Sequence, residues 1–200
     1  MKKQVVIIHG GDCFDTYEDY MSFLKEFQPE SIEYFKKKGW KDSLQDDLGD
    51  NFEVIKPKMP NAINAKYLEW KIWFEKLIPF LEDDLILVGH SLGGIFLVKY
   101  LSENKFSKKI EKTFIISAPF NEEHLIDESL ADFILPEDLT NLEEQGGKIH
   151  FYHSKDDPIV PFADFEKYKK KLPKANFITM EDKEHFCQET FPELIEEIKK

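Results

Sequence analysis

A hydroxyl, a carboxylate and an imidazole, the three groups that together carry out acyl transfer, occur in this 200-residue chain in the order Ser91, Asp157, His185. Ser91 is the centre of Gly89-His90-Ser91-Leu92-Gly93, which lies between the apolar runs Leu85-Ile86-Leu87-Val88 and Ile95-Phe96-Leu97-Val98. That order reads as strand, tight elbow and helix, and a serine at the apex of such an elbow holds its hydroxyl clear of the sheet. The glycines are expected because the strand and helix backbones pass too close there for a Cβ. The Leu92 amide then points toward the same place as the Ser91 oxygen, and the helix start adds the positive end of its dipole. Negative charge developing on a substrate oxygen is stabilised by both.

Nucleophile-elbow enzymes carry the acid and the base after later strands, in the order Ser, Asp or Glu, His. Lys148-Ile149-His150-Phe151-Tyr152-His153 reads as a strand and is followed by Ser154-Lys155-Asp156-Asp157-Pro158-Ile159-Val160-Pro161. Asp157 is the preferred acid because it precedes Pro158 and the apolar Ile159-Val160 pair, which would anchor the loop. Asp156 is the alternate, since neighbouring side chains of an extended loop point apart and only one reaches the histidine. Asn176-Phe177-Ile178-Thr179-Met180 is a final strand, and His185 follows it in Glu181-Asp182-Lys183-Glu184-His185-Phe186. An imidazole there can take the Ser91 proton while the aspartate fixes its tautomer.

His150 and His153 alternate on the strand before the aspartate, and His124 lies in a polar segment, so none competes for the base. His9 ends the first strand, Val5-Val6-Ile7-Ile8-His9-Gly10-Gly11, and reads as a structural residue of the loop that follows. Gly10 and Gly11 allow a backbone amide, that of Gly11 or Asp12, to turn toward the substrate oxygen as a second oxyanion donor beside Leu92. A phosphate-binding loop is the alternative, but Gly10-Gly11-Asp12 lacks the longer glycine spacing and the lysine of such loops.

With these residues in place the chain resembles the α/β-hydrolase fold, and within it the small lidless serine hydrolases related to retinoblastoma-binding protein 9 and the YdeN-like bacterial hydrolases. Ile8-His9-Gly10, Met59-Pro60-Asn61, the Ser91 elbow, Ser117-Ala118-Pro119, the Ser154 to Pro161 loop and His185-Phe186 carry the resemblance, which spans nearly the whole chain. It implies Ser91 as nucleophile, Asp157 as acid and His185 as base. Two departures stand out. The family histidine usually follows a glycine, where this chain has Glu184, a carboxylate that either raises the pKa of His185 or faces solvent. The stretch from Gln28 to Asp50, with Lys36-Lys37-Lys38-Gly39-Trp40, does not match the family pattern and reads as a local flap or a surface insertion.

The elements that must position these groups alternate along the chain. Strands are expected at Val5–Ile8, Phe52–Ile55, Leu85–Val88, Thr113–Ser117, Ile149–His153 and Phe177–Met180. Helices are expected at Tyr67–Leu81, Gly94–Glu103, Phe162–Lys171 and Glu189–Lys199. The alternation argues a single α/β domain over 1–200, a three-layer α/β/α sandwich on a mostly or wholly parallel sheet of about six strands. Pro119 to Gly147 leaves room for a minimal lid only; Phe120, Leu125, Ile126, Phe133, Ile134 and Leu135 are candidates to overhang Ser91 as an acyl pocket.

A formal net charge of −12 disfavours nucleic acid and anionic lipid surfaces. No run approaches the ~20 apolar residues of a membrane span, and the start reads as neither signal nor anchor, so a cytoplasmic location is expected. The two cysteines, Cys13 and Cys187, fit free thiols in a reducing compartment, and neither occupies the elbow. No zinc-type spacing occurs; neither metal nor cofactor is expected. The chemistry that emerges is serine hydrolysis of carboxylic esters, or of thioesters or amides, on a small-molecule substrate. The alternative is a weakly catalytic or non-catalytic module that keeps the fold to bind a protein partner. Loss of ester turnover in Ser91→Ala discriminates the two.

Overall fold

The computed structural model describes residues 2–124 and 129–200. Six strands, β1 (Lys3–Ile8), β2 (Phe52–Ile55), β3 (Leu85–His90), β4 (Ile110–Ile116), β5 (Lys148–Ser154) and β6 (Asn176–Met180), form one sheet in the order β2-β1-β3-β4-β5-β6. Every neighbouring pair is parallel. Among the described residues there are seven α-helices: α1 (Tyr17–Glu26), α2 (Trp40–Leu48), α3 (Tyr67–Leu77), α4 (Leu92–Glu103), α5 (Thr140–Gln145), α6 (Phe162–Lys171) and α7 (Pro192–Lys199).

The period-2 alternation of the strands divides the core into two layers. Val6, Ile8 and Leu87 point to the face covered by α3, α4, α5 and α6, where Trp70, Phe74, Phe96 and Tyr168 pack. Val5, Ile7, Ile86 and Val88 point to the other face, which Trp40 and Leu44 of α2 and Leu194 and Ile198 of α7 close. The expected three-layer sandwich is the observed architecture. Among the described residues no helix is long and apolar enough to cross a membrane.

Several boundaries differ from expectation for local reasons. The regular part of α3 ends at Leu77 and a 3-10 turn follows over Ile78–Phe80, because Pro79 has no N–H to donate and disfavours helical geometry before it. The last helix begins at Pro192, not Glu189: proline at the first helical position lacks only an N–H that has no partner there anyway. The stretch from Gln28 to Asp50 is not simply a flap or surface insertion. Its first part, including a 3-10 turn at Ile32–Lys36, has no buried residue, but α2 buries Trp40, Leu44 and Leu48 in the second core layer. Their i, i+4, i+8 spacing is the helical signal, diluted by the lysines and aspartates between them. Helix α1, also unanticipated, is fixed by a capping box between Thr16 and Asp19 and buries no residue of its own.

Because β2 lies on one side of the β1–β3 pair and β4 on the other, the connections that follow β1 and β3 run in opposite directions. A crevice opens at the carboxyl ends of β1 and β3, where ligands bind in open α/β sheets. The loop after β1 and the turn after β3 meet there.

Candidate active site

Ser91 links β3 to α4 with φ 55° and ψ −124°, a conformation that L residues rarely adopt. Such a residue costs about 1–3 kcal/mol and persists only where its surroundings over-determine it. Here they do. The Ser91 amide donates to Ile116 O (2.8 Å), and its carbonyl accepts from the amides of Gly94 (2.8 Å) and Ile95 (3.3 Å). A Cβ on Gly93 would stand 2.3 Å from Ile8 O, and one on Gly89 would stand 2.4 Å from Gly93 O, so the two glycines let helix, elbow and first strand cross.

Beyond β5, the Asp157 carboxylate is fully buried and faces the imidazole of His185, whose Nδ1 lies 2.9 Å from Oδ2 and 3.1 Å from Oδ1. The amides of Ile159 (2.9 Å) and Val160 (3.0 Å) also donate to Asp157 Oδ1. Burial works to raise the Asp157 carboxyl, but the His185 hydrogen bond and charge and the two amides outweigh it and hold the group below the ordinary carboxylate range. Asp156 does something else. Its Oδ1 accepts from the Ser154 hydroxyl and from the Glu184 amide (3.1 Å), tying the acid loop to the segment that carries His185.

His153, set aside on the sequence as a base, is a buried brace of the same loop. Its Nε2 donates to Val160 O (2.9 Å) and lies 3.9 Å from Asp157 Oδ2. The His185 loop is held in turn by α2, whose Trp40 indole donates to Phe186 O (2.9 Å) and whose Trp40 amide donates to Gln188 O (2.9 Å). Glu184 is exposed, and its φ is 45°. The backbone therefore asks for left-handed geometry at the residue before His185, where glycine would be unstrained.

His90 is buried and bridges two elements. Nε2 donates to the His185 carbonyl oxygen (2.8 Å), so Nδ1 is the acceptor for Lys41 Nζ at 3.0 Å. Burial first, then the nearby Lys41 and His185, push its pKa well below the usual value, which keeps it neutral. His9 is likewise committed: Nδ1 donates to Gly10 O (2.6 Å) and Nε2 accepts from the Met59 amide (3.0 Å).

Of the two amides proposed for the second oxyanion donor, that of Asp12 is engaged with Ala62 O (2.9 Å). This removes Asp12 from the pair and leaves Gly11. A Cβ on Gly11 would stand 2.4 Å from the same Ala62 oxygen, so only glycine fits between the loop and the turn that braces it.

Two cavities meet at Ser91. One, of about 290 Å³, is walled by Cys13, Phe14, Phe23, Leu92, Leu130 and Val160. The other, of about 370 Å³, is bordered by Lys41, His90, Ile159 and His185. The apolar walls are not the residues expected. Phe133 lies in the core against Tyr67 and Trp70, Phe120 packs on Tyr168, Leu135 packs against the core and Ile134 is exposed. Leu125 and Ile126 lie outside the described residues. Phe14, Phe23 and Lys41 were not anticipated, because they come from the α1 and α2 region, far from the elbow in sequence. Ser91, Asp157 and His185 are brought to one crevice. Among the described residues the Ser91 hydroxyl makes no hydrogen bond; such contacts commonly tighten only when substrate is bound.

The same architecture occurs in solved structures. The ydeN gene product from B. subtilis superposes with a TM-score of 0.78 at 20% identity, covering 99% of this chain and 97% of that one. Est1E from Butyrivibrio proteoclasticus gives 0.60 at 14% identity over 99% and 86%. The methylesterase MES16 from Arabidopsis gives 0.58 at 12% over 98% and 97%. A comparison with curated protein sequences gives no match. Residues 35–194, from just before α2 to the first turn of α7, match the family described as serine hydrolase. With the fold and most of its sequence in agreement, this chain belongs to the serine hydrolase family.

Proposed function

We propose that the protein hydrolyses small carboxylic esters through an acyl-enzyme intermediate on Ser91. The observation that carries this reading is the buried Asp157 carboxylate hydrogen-bonded to Nδ1 of His185, in a crevice that His185 shares with the strained Ser91 elbow. With Nδ1–H held by Asp157, the free Nε2 is the basic nitrogen. It takes the Ser91 proton as Oγ attacks the ester carbonyl, and returns it to the departing alkoxide. Water, deprotonated by the same nitrogen, then releases the acid. The Leu92 and Gly11 amides receive the oxyanion, with the dipole of α4 behind Leu92.

The leaving-group oxygen must come within reach of His185. His185 borders the 370 Å³ cleft, so the alcohol occupies that side and the acyl group enters the apolar 290 Å³ cavity. A cavity of that volume, at the small end for ligand pockets, suits a short acyl chain. Small ester substrates also accord with two of the structural neighbours, one a methylesterase and one seen with ferulic acid bound. Intact mass after treatment with a fluorophosphonate tests the proposal without knowledge of the substrate. One adduct on the wild type, absent in Ser91→Ala and His185→Ala, is expected. A wild type without an adduct overturns the reading and favours a protein-binding module.

A further inference from the structure

Lys41 is the one lysine among the described residues that border the cleft shared by Ser91 and His185. It enters from α2, whose first residue, Trp40, is held by the Phe186 and Gln188 carbonyls, so the position of Lys41 is set by the core. Among the described residues its one hydrogen bond is to the neutral Nδ1 of His90 (3.0 Å), and no carboxylate pairs with it. Burial lowers its pKa; of the neighbouring groups, Cys187 when ionised and Asp42 favour the ammonium form and Lys56 opposes it. Asp42 is itself committed to Lys56 (3.1 Å) and to the Gly39 amide (3.1 Å). A half-buried ammonium facing a substrate cleft with only neutral partners, the His90 nitrogen and the Trp40 ring 5.1 Å from its Nζ, has unused capacity for an anion, and a charge-assisted bond there would be strong.

We propose that Lys41 is an anion-recognition residue that makes the cleft select esters whose leaving group carries a carboxylate. The inference rests on the hydrolase reading above, since the alcohol occupies this side only because His185 must protonate it. A single cation in a chain of net charge −12 suits one negative charge better than a doubly charged phosphate. Asp12, on the rim common to both cavities, limits the anionic position to the Lys41 end.

The test compares kcat/KM for 4-acetoxybenzoate and for its neutral methyl ester in the wild type, Lys41→Gln and Lys41→Arg. The change in the anionic-to-neutral ratio between variants is the readout, because it cancels the intrinsic reactivity of the two esters and any loss transmitted through His90. The ratio is expected to fall roughly tenfold or more in Lys41→Gln and to be largely kept in Lys41→Arg. A ratio unchanged in Lys41→Gln, even with both rates reduced, overturns the proposal. Binding of the product 4-hydroxybenzoate, followed by NMR titration of the same three proteins, reads the site without turnover. If the wild type cleaves neither ester and forms no fluorophosphonate adduct, the hydrolase reading fails, and this titration still decides Lys41: binding lost in Lys41→Gln supports an anion site, and no binding to the wild type refutes it.

Discussion

His90 donates through Nε2 to the carbonyl oxygen of His185 at 2.8 Å, while the next residue along the chain is Ser91. The turn that presents the hydroxyl therefore also holds the backbone of the imidazole that would activate it. Lys41, by donating to Nδ1, fixes the His90 tautomer that makes this possible. Position x of the Gly-x-Ser-x-Gly motif is thus a structural link between two loops that are far apart in sequence.

Replacing that link should loosen the base without touching the reacting atoms. In His90→Leu, kcat toward a neutral ester is expected to fall by up to about 10²-fold with KM little changed, the usual cost of displacing a catalytic group by about an ångström. Steady-state kinetics on the folded variant checks this. A change confined to KM would place His90 in substrate binding instead.

The two neighbouring aspartates should separate cleanly. Asp157→Asn leaves the shape but offers Nδ1 the wrong partner, and kcat is expected to drop about 10⁴-fold. Asp156→Asn weakens the tie to the Glu184 amide and should act mainly on stability, by about 1 kcal/mol in urea unfolding.

Acid titration gives a second reading of Asp157. Its folded carboxyl is held below the unfolded value of about 3.9. The stability it contributes is therefore complete above that value and is lost as pH falls through the lowered folded value. The difference in unfolding free energy between wild type and Asp157→Asn is expected to narrow below about pH 4, which urea titrations at a series of pH values measure.

Glu184 adopts φ 45° on the exposed side of the His185 loop. Glycine accepts that geometry without the steric cost an L side chain bears. Glu184→Gly is expected to be no less stable than wild type and to gain up to about 1 kcal/mol, less the extra entropy glycine loses on folding. A lowered melting temperature would show that the glutamate side chain stabilises the loop by another route.

The thiols should differ sharply in reactivity. Burial, reinforced by the Asp12 charge, pushes the Cys13 thiol up to about 12, and its Sγ donates to Ser129 O (3.0 Å), whereas Cys187 is exposed. Titration with a disulfide reagent is expected to modify Cys187 in the native protein and both cysteines in urea. Rapid native labelling of Cys13 would show that the apolar cavity opens widely.

The elbow, the order Ser91, Asp157, His185 and the alternation of strands and helices were legible in the sequence because each is a local signal. Apolar runs, turn residues and their order survive without knowledge of what packs on what. The parallel six-stranded sheet followed from that alternation. What the sequence could not decide were relationships between segments distant along the chain. The i, i+4, i+8 spacing of Trp40, Leu44 and Leu48 shows that α2 has an apolar face but not that this face closes a core layer and delivers Lys41 to the cleft. The walls of the apolar cavity include Phe14 and Phe23 beside Leu130 of the segment after β4, because the loop after β1 and α1 fold over the crevice at the β1–β3 switch. Pro158 and the Ile159-Val160 pair favour Asp157 over Asp156 on the sequence, but which of the two side chains faces an imidazole 28 residues further on is a tertiary relationship. Local periodicity fixes which face of each element is buried; only the packed tertiary structure fixes which faces meet, and the chemistry of the crevice lies in those meetings.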